Sequence, residues 1–260
     1  MKQWLISIND RLLGGYGIIG FLLLWETAPR LGWADPQFIP PLSQVLAAGW
    51  KIALTGELFI HISASLQRTL VGLVLAIALA VPLGFAFGGW FPVAARFLQP
   101  LLNILGQVNA FSLFPIFILF FGIGEIAKVS IIFWSSIWPV LFTTIAGVQQ
   151  VDSLLVKSAR AMGADRTAIF LRVVLPGAAP YIFTGVRIGG SVAFLMLIAA
   201  EMIGASAGLG WLVHNSEVNN VVPRLFAATV TIALLGMGLN YFIHWLEGTI
   251  VVWKQGAAGE

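Results

Sequence analysis

Three groups of side chains in this 260-residue chain could do chemistry, and none has the spacing of a catalytic set. The first is a row of amides and a hydroxyl, Asn103, Gln107, Asn109 and Ser112, in the third apolar run, with Pro115 just beyond to loosen the backbone. Carboxamides both donate and accept, so such a row can hold an anion by donation or a neutral solute in both senses; helix packing is the alternative use. The second is Glu201, a lone carboxylate near the end of an apolar run, where it either closes a helix end or lines a path. The third is the stretch 152–172, DSLLVKSARAMGADRTAIFLR, which sets Lys157, Arg160, Arg166 and Arg172 between two apolar runs. The apolar runs hold no paired carboxylates, His cluster or Ser/His arrangement, and His214 and His244 lack metal-ligand companions at useful spacing. No catalytic and no metal site is therefore assigned. No G-x-x-x-x-G-K-[ST] occurs, so the chain has no P-loop for nucleotide phosphates. Zero cysteines exclude disulfide and thiolate chemistry.

The elements that must position these groups are apolar. Of the residues, 59% are hydrophobic and 10% charged, against about 25% charged in a typical soluble domain. With a mean hydropathy of +0.94, water cannot be the main solvent. A bilayer core needs about 20 apolar residues in a helix. Segments 14–33, 66–90, 101–122, 126–148, 182–203 and 225–246 come close to that length. The expected class is an all-α integral membrane protein with about six transmembrane helices. Residues 34–65, with Pro36, Pro40, Pro41, Lys51 and Glu57, read as an external loop carrying a short helix, and 256–260 as a frayed tail. Lys2 and Arg11 before the first apolar run suggest a signal peptide, but Glu26-Thr27-Ala28-Pro29 is a poor cleavage region, so the run reads as a retained span.

Charge sets the orientation. With an even number of spans, Lys2, Arg11, Arg96, Lys157, Arg160, Arg166, Arg172, Arg187 and Lys254 fall on the side of the termini. Arg30, Lys51, Arg68, Lys128 and Arg224 fall on the other. The excess puts both termini and the loop 149–181 in the cytoplasm. These scattered cations signal topology; they are not clustered with exposed aromatics, so no nucleic-acid partner is expected. Gly72, Ala76, Ala80, Gly84 and Gly88 draw a strip of small residues on one helical face, and Gly185, Gly189 and Ala193 a second. Such strips allow close helix approach, within the chain or against a second copy. Glu26 and Arg30 stand in the favourable order for an i,i+4 pair.

Within the basic loop, Leu154, Leu155, Ala159 and Met162 share one face of a helix that Gly163 ends in a left-handed turn. Asp165 is placed to cap a second helical turn. Leu175-Pro176 closes the segment, since proline cannot continue a hydrogen-bonded helix. The pattern predicts two short helices joined by a glycine elbow outside the lipid, resting on headgroups or docking to a partner.

The run Lys157-Ser158-Ala159-Arg160-Ala161-Met162-Gly163, then nine residues beginning Ala164-Asp165, then Val173-Val174-Leu175-Pro176, resembles the EAA loop of binding-protein-dependent ABC importer permeases. The spacing from the glycine to Leu-Pro is met residue for residue. Lys157 stands where that family has glutamate, Ser158 replaces its first alanine, and Val173 its isoleucine. Trp25-Glu26, the string His61 to Arg68, Pro115 with Phe121-Gly122-Ile123-Gly124, Ala200-Glu201 and Gly208-Leu209-Gly210 resemble the branch that imports nitrate, sulfonates, taurine and bicarbonate. The resemblance implies a type I ABC importer (MetI-like) permease fold over residues 1–260. It implies an inner-membrane location and alternating access driven by separate ATP-binding cassette subunits, which bind the ATP and Mg. It also implies a second permease copy, most simply a homodimer, and an external solute-binding protein, with no cofactor in this chain. Lys157 reverses one family contact and calls for an acidic residue on the ATPase. Related permeases often carry Arg-Pro near 106–111, where this chain reads GQVNAF, leaving the amide row without a cation. An ion-coupled transporter would instead need symmetric broken spans and ion-carrying acidic residues, for which Glu201 is the sole candidate.

Overall fold

The structure is a computed structural model that describes residues 2–251, with side chains from residue 15 onward. The side chains of Lys2 and Arg11, and all of Lys254 and the tail 256–260, lie outside the described residues. Regular structure among the described residues is helical: α1 (Lys2–Arg30), α2 (Leu42–Leu54), α3 (Glu57–Phe85), α4 (Pro92–Gln107), α5 (Ala110–Phe121), α6 (Glu125–Gln149), α7 (Ser153–Ala161), α8 (Arg166–Ile169), α9 (Leu175–Met202), α10 (Leu209–Val218) and α11 (Val222–Ile250). Among the described residues four helical runs are long and apolar enough to cross a membrane, Glu57–Trp90, Glu125–Gln149, Arg166–Met202 and Val222–Ile250, and the bent pair Pro92–Gln107 and Ala110–Phe121 makes a fifth if it is one span. The expected first span falls on α1. The expected loop 34–65 is shorter than predicted: Gly56 turns the chain at φ 76°, and α3 begins at Glu57.

The centre of the bundle is α6, pressed between the two strips of small residues. A Cβ at Gly72 would lie 2.5 Å from Ile132 Cγ2, and one at Gly88 would lie 2.8 Å from Val148 Cβ; Gly84 backs onto Thr144. From α9, a Cβ at Gly185 would lie 3.0 Å from Val140 Cα, and one at Gly189 would lie 3.1 Å from the Ser136 carbonyl oxygen. In lipid, helices associate largely through such close backbone approach, because a side chain gains nothing by leaving one apolar medium for another. Both strips therefore serve contacts inside the chain. Ala76, Ala80, Val140 and Leu141 fill the α3–α6 seam, while Ile131, Ala193, Leu197 and Ala200 fill that between α6 and α9.

Two sequence expectations are corrected. The third span, expected to be loosened by Pro115, breaks instead at Val108-Asn109, and α4 and α5 meet at 89°. Asn109 adopts extended backbone and its Oδ1 accepts from the Phe111 N–H at 2.9 Å, so it caps a new helix rather than continuing the old one. Pro115 sits inside α5 without breaking it. The second correction concerns Leu175-Pro176, which does not end a helix. A π turn at Phe170–Val174 joins α8 to α9, with the Leu175 N–H reaching back to the Phe170 carbonyl. This widened turn relieves the clash of the Pro176 ring with the preceding turn, and Pro176, in the first turn of α9, lacks only one donor.

Candidate functional site

The elbow is built from local hydrogen bonds. Asp152 accepts from the Leu154 N–H at 2.8 Å and starts α7. At its end Gly163 takes φ 84°, its N–H reaches the Arg160 carbonyl at 3.0 Å, and the Ala164 N–H reaches Ala159 at 3.1 Å. That pair of bonds is a Schellman motif, which needs a left-handed residue and so favours glycine. Asp165 then accepts from the Ala168 N–H at 3.0 Å and starts α8. The predicted apolar face is largely uncovered: Leu154 is 64%, Leu155 58% and Met162 82% exposed, while Ala159 and Ile169 are buried. Lys157, Ser158, Arg160, Gly163 and Asp165 are exposed and Ala164 is half-buried. Leu175 packs with Phe85, Val148 and Ala178 in the bundle, beside Pro176.

The four polar residues of the amide row lie exposed along the α4–α5 break. Asn109 spends its side-chain oxygen on the helix cap, and Gly106 lies against the Phe142 ring of α6. Glu201 lies elsewhere and is fully buried. Its oxygens accept from Ser65 Oγ at 2.8 Å, Arg68 Nη1 at 2.6 Å and the Gly210 N–H at 2.9 Å. Arg68 also donates to the Ala207 carbonyl at 2.7 Å, and its Nε and Nη2 grip both oxygens of Glu125 at 2.5 and 2.8 Å. Lys128 reaches Glu125 at 3.1 Å. Ser65 Oγ accepts from the Leu209 N–H at 2.8 Å, and His61 Nδ1 from that of Gly208 at 3.0 Å. Three successive N–H groups at the start of α10 thus receive side-chain acceptors from α3 and α9, which satisfies donors that a buried helix end would otherwise leave unpaired. Gly208 is required: φ is 128°, and a Cβ there would strike the Glu201 carboxylate.

Strings that looked unrelated in sequence, His61 to Arg68, Ala200-Glu201 and Gly208-Leu209-Gly210, meet in this clasp. Arg68, Glu125 and Lys128 were not singled out as site residues. One signal was available: His61, Ser65 and Arg68 stand at i, i+4 and i+7, a polar stripe on the first half of a helix that is apolar from Leu70 to Phe85. Nearby, Glu26 pairs with Arg30 at 2.5 Å as the spacing predicts, and accepts from the Ser43 N–H of α2 at 2.9 Å. Arg224 of α11 pairs with Glu57 of α3. At the opposite end Phe170 packs on Phe85 and Trp90, with ring centroids 5.0 and 5.6 Å apart. Among the described residues no group of three or more His, Asp or Glu side chains is placed to hold a metal ion.

A helical membrane bundle with a polar elbow at one end is the architecture of an ABC importer permease. Its fold is similar to that of a chain in the inward-facing MetNI methionine ABC transporter structure, with a TM-score of 0.63 and 19% identity over 75% of this chain and 94% of that one. Residues 73–251 match the family described as binding-protein-dependent transport system inner membrane component, and the chain belongs to that family. A probable ABC transporter permease of Brucella abortus (strain 2308) is 33% identical over 99% of this chain and 100% of its own length. The taurine transport system permease TauC of Escherichia coli K12 is 31% identical over 96% of this chain and 93% of its own. The bicarbonate transport system permease CmpB of Synechococcus elongatus is 29% identical over 96% and 93%. The chain is an ABC importer permease of the taurine, sulfonate and bicarbonate branch, a transport subunit of the inner membrane.

Proposed function

We propose that the whole chain, 1–260, is one permease domain that forms the path for a small solute such as taurine, another sulfonate, bicarbonate or nitrate. Loop 149–181 couples it to separate ATPase subunits, which bind ATP and Mg. The observation that carries this reading is a single helical run from Arg166 to Met202, 37 residues long. At 1.5 Å per residue it spans roughly 55 Å, well beyond a hydrocarbon core of about 30 Å. One end stands beside the Gly163 elbow and the other carries Glu201. A push on the elbow is therefore delivered along one helix to the clasp at the far end, which is what alternating access requires of a coupling element.

The exposed Leu154, Leu155 and Met162, ringed by Lys157, Arg160 and Arg166, supply an apolar patch with a basic rim for an ATPase groove, with Lys157 against an acidic residue. The elbow and both termini lie in the cytoplasm, and α2 and α10 face the external solute-binding protein. Two copies of the chain assemble so that Asn103, Gln107, Asn109 and Ser112 line the path, while Glu201 braces it from within the bundle.

Gly163→Arg tests the coupling. No neighbour lies within 4 Å of a Cβ at Gly163, so the added side chain leaves the bundle alone and disturbs only the left-handed turn. Membrane insertion is expected to be normal, while co-purification with the ATPase and ATP-driven uptake are lost. Normal assembly and transport by a correctly inserted Gly163→Arg variant would refute the reading. An ion-coupled transporter would show uptake with no co-eluting ATPase.

A further inference from the structure

We propose that Arg68 and Lys128 form a receptor for a monovalent oxoanion, such as a sulfonate or bicarbonate, at the end of the bundle away from the elbow. The Glu125 carboxylate keeps that receptor closed by occupying it. The inference rests on the transport reading above and supplies the cationic subsite that the amide row lacks.

Four ionised groups meet at this corner, and they differ in freedom. Glu201 is fixed, 0% exposed and bonded to Ser65, Gly210 and Arg68. The Glu125 side chain is 60% exposed, although the two cations it serves, Arg68 and Lys128, are only 8% and 4% exposed. It hangs from the first turn of α6 and can swing into water. Arg68 stands inside α3 with its guanidinium also held by Glu201 and the Ala207 carbonyl, and the Lys128 side chain, although in the same first turn of α6, is buried, so neither follows Glu125 into water. Once Glu125 leaves, two buried cations face one fixed carboxylate. A buried charge without a partner is strongly disfavoured, so the corner draws an anion from solution.

The geometry selects which anion. Arg68 offers a planar fork, Nε and Nη2, that holds the two Glu125 oxygens at 2.5 and 2.8 Å. Such a fork fits any group with two coplanar oxygens. Lys128 Nζ makes one hydrogen bond among the described residues, to the same carboxylate at 3.1 Å, and has further protons to give. A third oxygen, absent from a carboxylate and present in sulfonate, bicarbonate or nitrate, takes one of these. The start of α6 has no side-chain cap at Gly124 and adds a positive helix end to the corner. Because Glu125 is tethered, its local concentration is high, and an anion displaces it only when delivered at high local concentration itself.

The full chain in lipid nanodiscs, with and without its ATPase, would be melted against sodium methanesulfonate, with sodium chloride holding ionic strength constant. The expected result is a saturable rise in melting temperature for the wild type. The midpoint should fall at least tenfold in Glu125→Gln, and the response should vanish when Lys128→Gln is added. No saturable response in the wild type, or no fall in midpoint in Glu125→Gln, overturns the proposal, and so does a response that survives Lys128→Gln. The first two comparisons decide the matter even where the double variant does not fold. The readout needs neither turnover nor ATPase, so it separates failure of this site from failure of coupling at Gly163.

Discussion

The elbow and the clasp stand at opposite ends of one helical run and are held together by opposite means. At the elbow every ordering hydrogen bond spans a few residues: Asp152 to Leu154, Gly163 to Arg160, Asp165 to Ala168. At the clasp the bonds join residues far apart in sequence, Ser65 and Arg68 to Glu201, His61 to Gly208, Arg68 to Glu125. The elbow leaves most of its apolar side chains and its cations uncovered, whereas the clasp buries Arg68, Lys128 and Glu201 and pairs them, with Glu125 closing the cluster from the exposed side. A surface left uncovered by the rest of the chain can be shaped locally. A joint that fixes helices relative to one another cannot.

The largest effect is expected where that contrast is broken at the clasp. Glu201→Ala removes the acceptor for Ser65, Gly210 and one arm of Arg68, all buried. Losing one partner of a buried ion pair costs about 3–5 kcal/mol. Thermal melting of the full chain in mild detergent should show a correspondingly large drop. Glu201→Gln should lose less, because its amide oxygen still accepts a hydrogen bond and Arg68 keeps Glu125. Equal losses for the two variants would mean that charge alone, and not the hydrogen-bond pattern, holds the clasp.

This contrast also explains what sequence made legible. Gly163 and Asp165 announce a left-handed turn and a cap through their own chemistry, so the elbow could be drawn before the fold was known, the Asp152 cap excepted. The Glu26–Arg30 pair was readable for the same reason, lying four residues apart on one helix. The clasp offered only the polar stripe of His61, Ser65 and Arg68, because nothing in Arg68 or Glu125 alone says that α3 and α6 bring them together. The break at Val108-Asn109 went to Pro115 instead, since proline is the stronger local signal while an asparagine can cap, turn or pack. Leu175-Pro176 misled in the same way: the π turn that accommodates the proline has no residue type of its own.

A middle-sized effect should sharpen the comparison at the elbow. Asp165→Ala deletes an exposed cap and should cost about 1 kcal/mol of local helix stability. Because Asp165 makes no contact with the clasp, the melting temperature of the bundle should hardly move. Hydrogen exchange at the amides of α8 should rise, and affinity for the ATPase should fall. A melting loss as large as that of Glu201→Ala would show that the two ends are one cooperative unit, and the division between local and long-range order would fail.

The smallest effect is expected at Lys157. It is exposed, so its exchange for the glutamate usual in such loops leaves the chain itself unchanged. On the proposed docking, Lys157→Glu alters the sign of one rim contact with the ATPase, and exposed ion pairs contribute only about 0.2–1 kcal/mol. The loss should therefore be less than about tenfold in affinity for the ATPase purified with the wild type. Raising salt from low to near-physiological ionic strength should narrow the gap between wild type and variant, since the Debye length shrinks to about 8 Å. A gap that does not change with salt would place Lys157 away from any acidic partner. A tighter complex with glutamate would mean that the ATPase groove is basic at this point, and that the elbow binds through its apolar face in spite of this lysine.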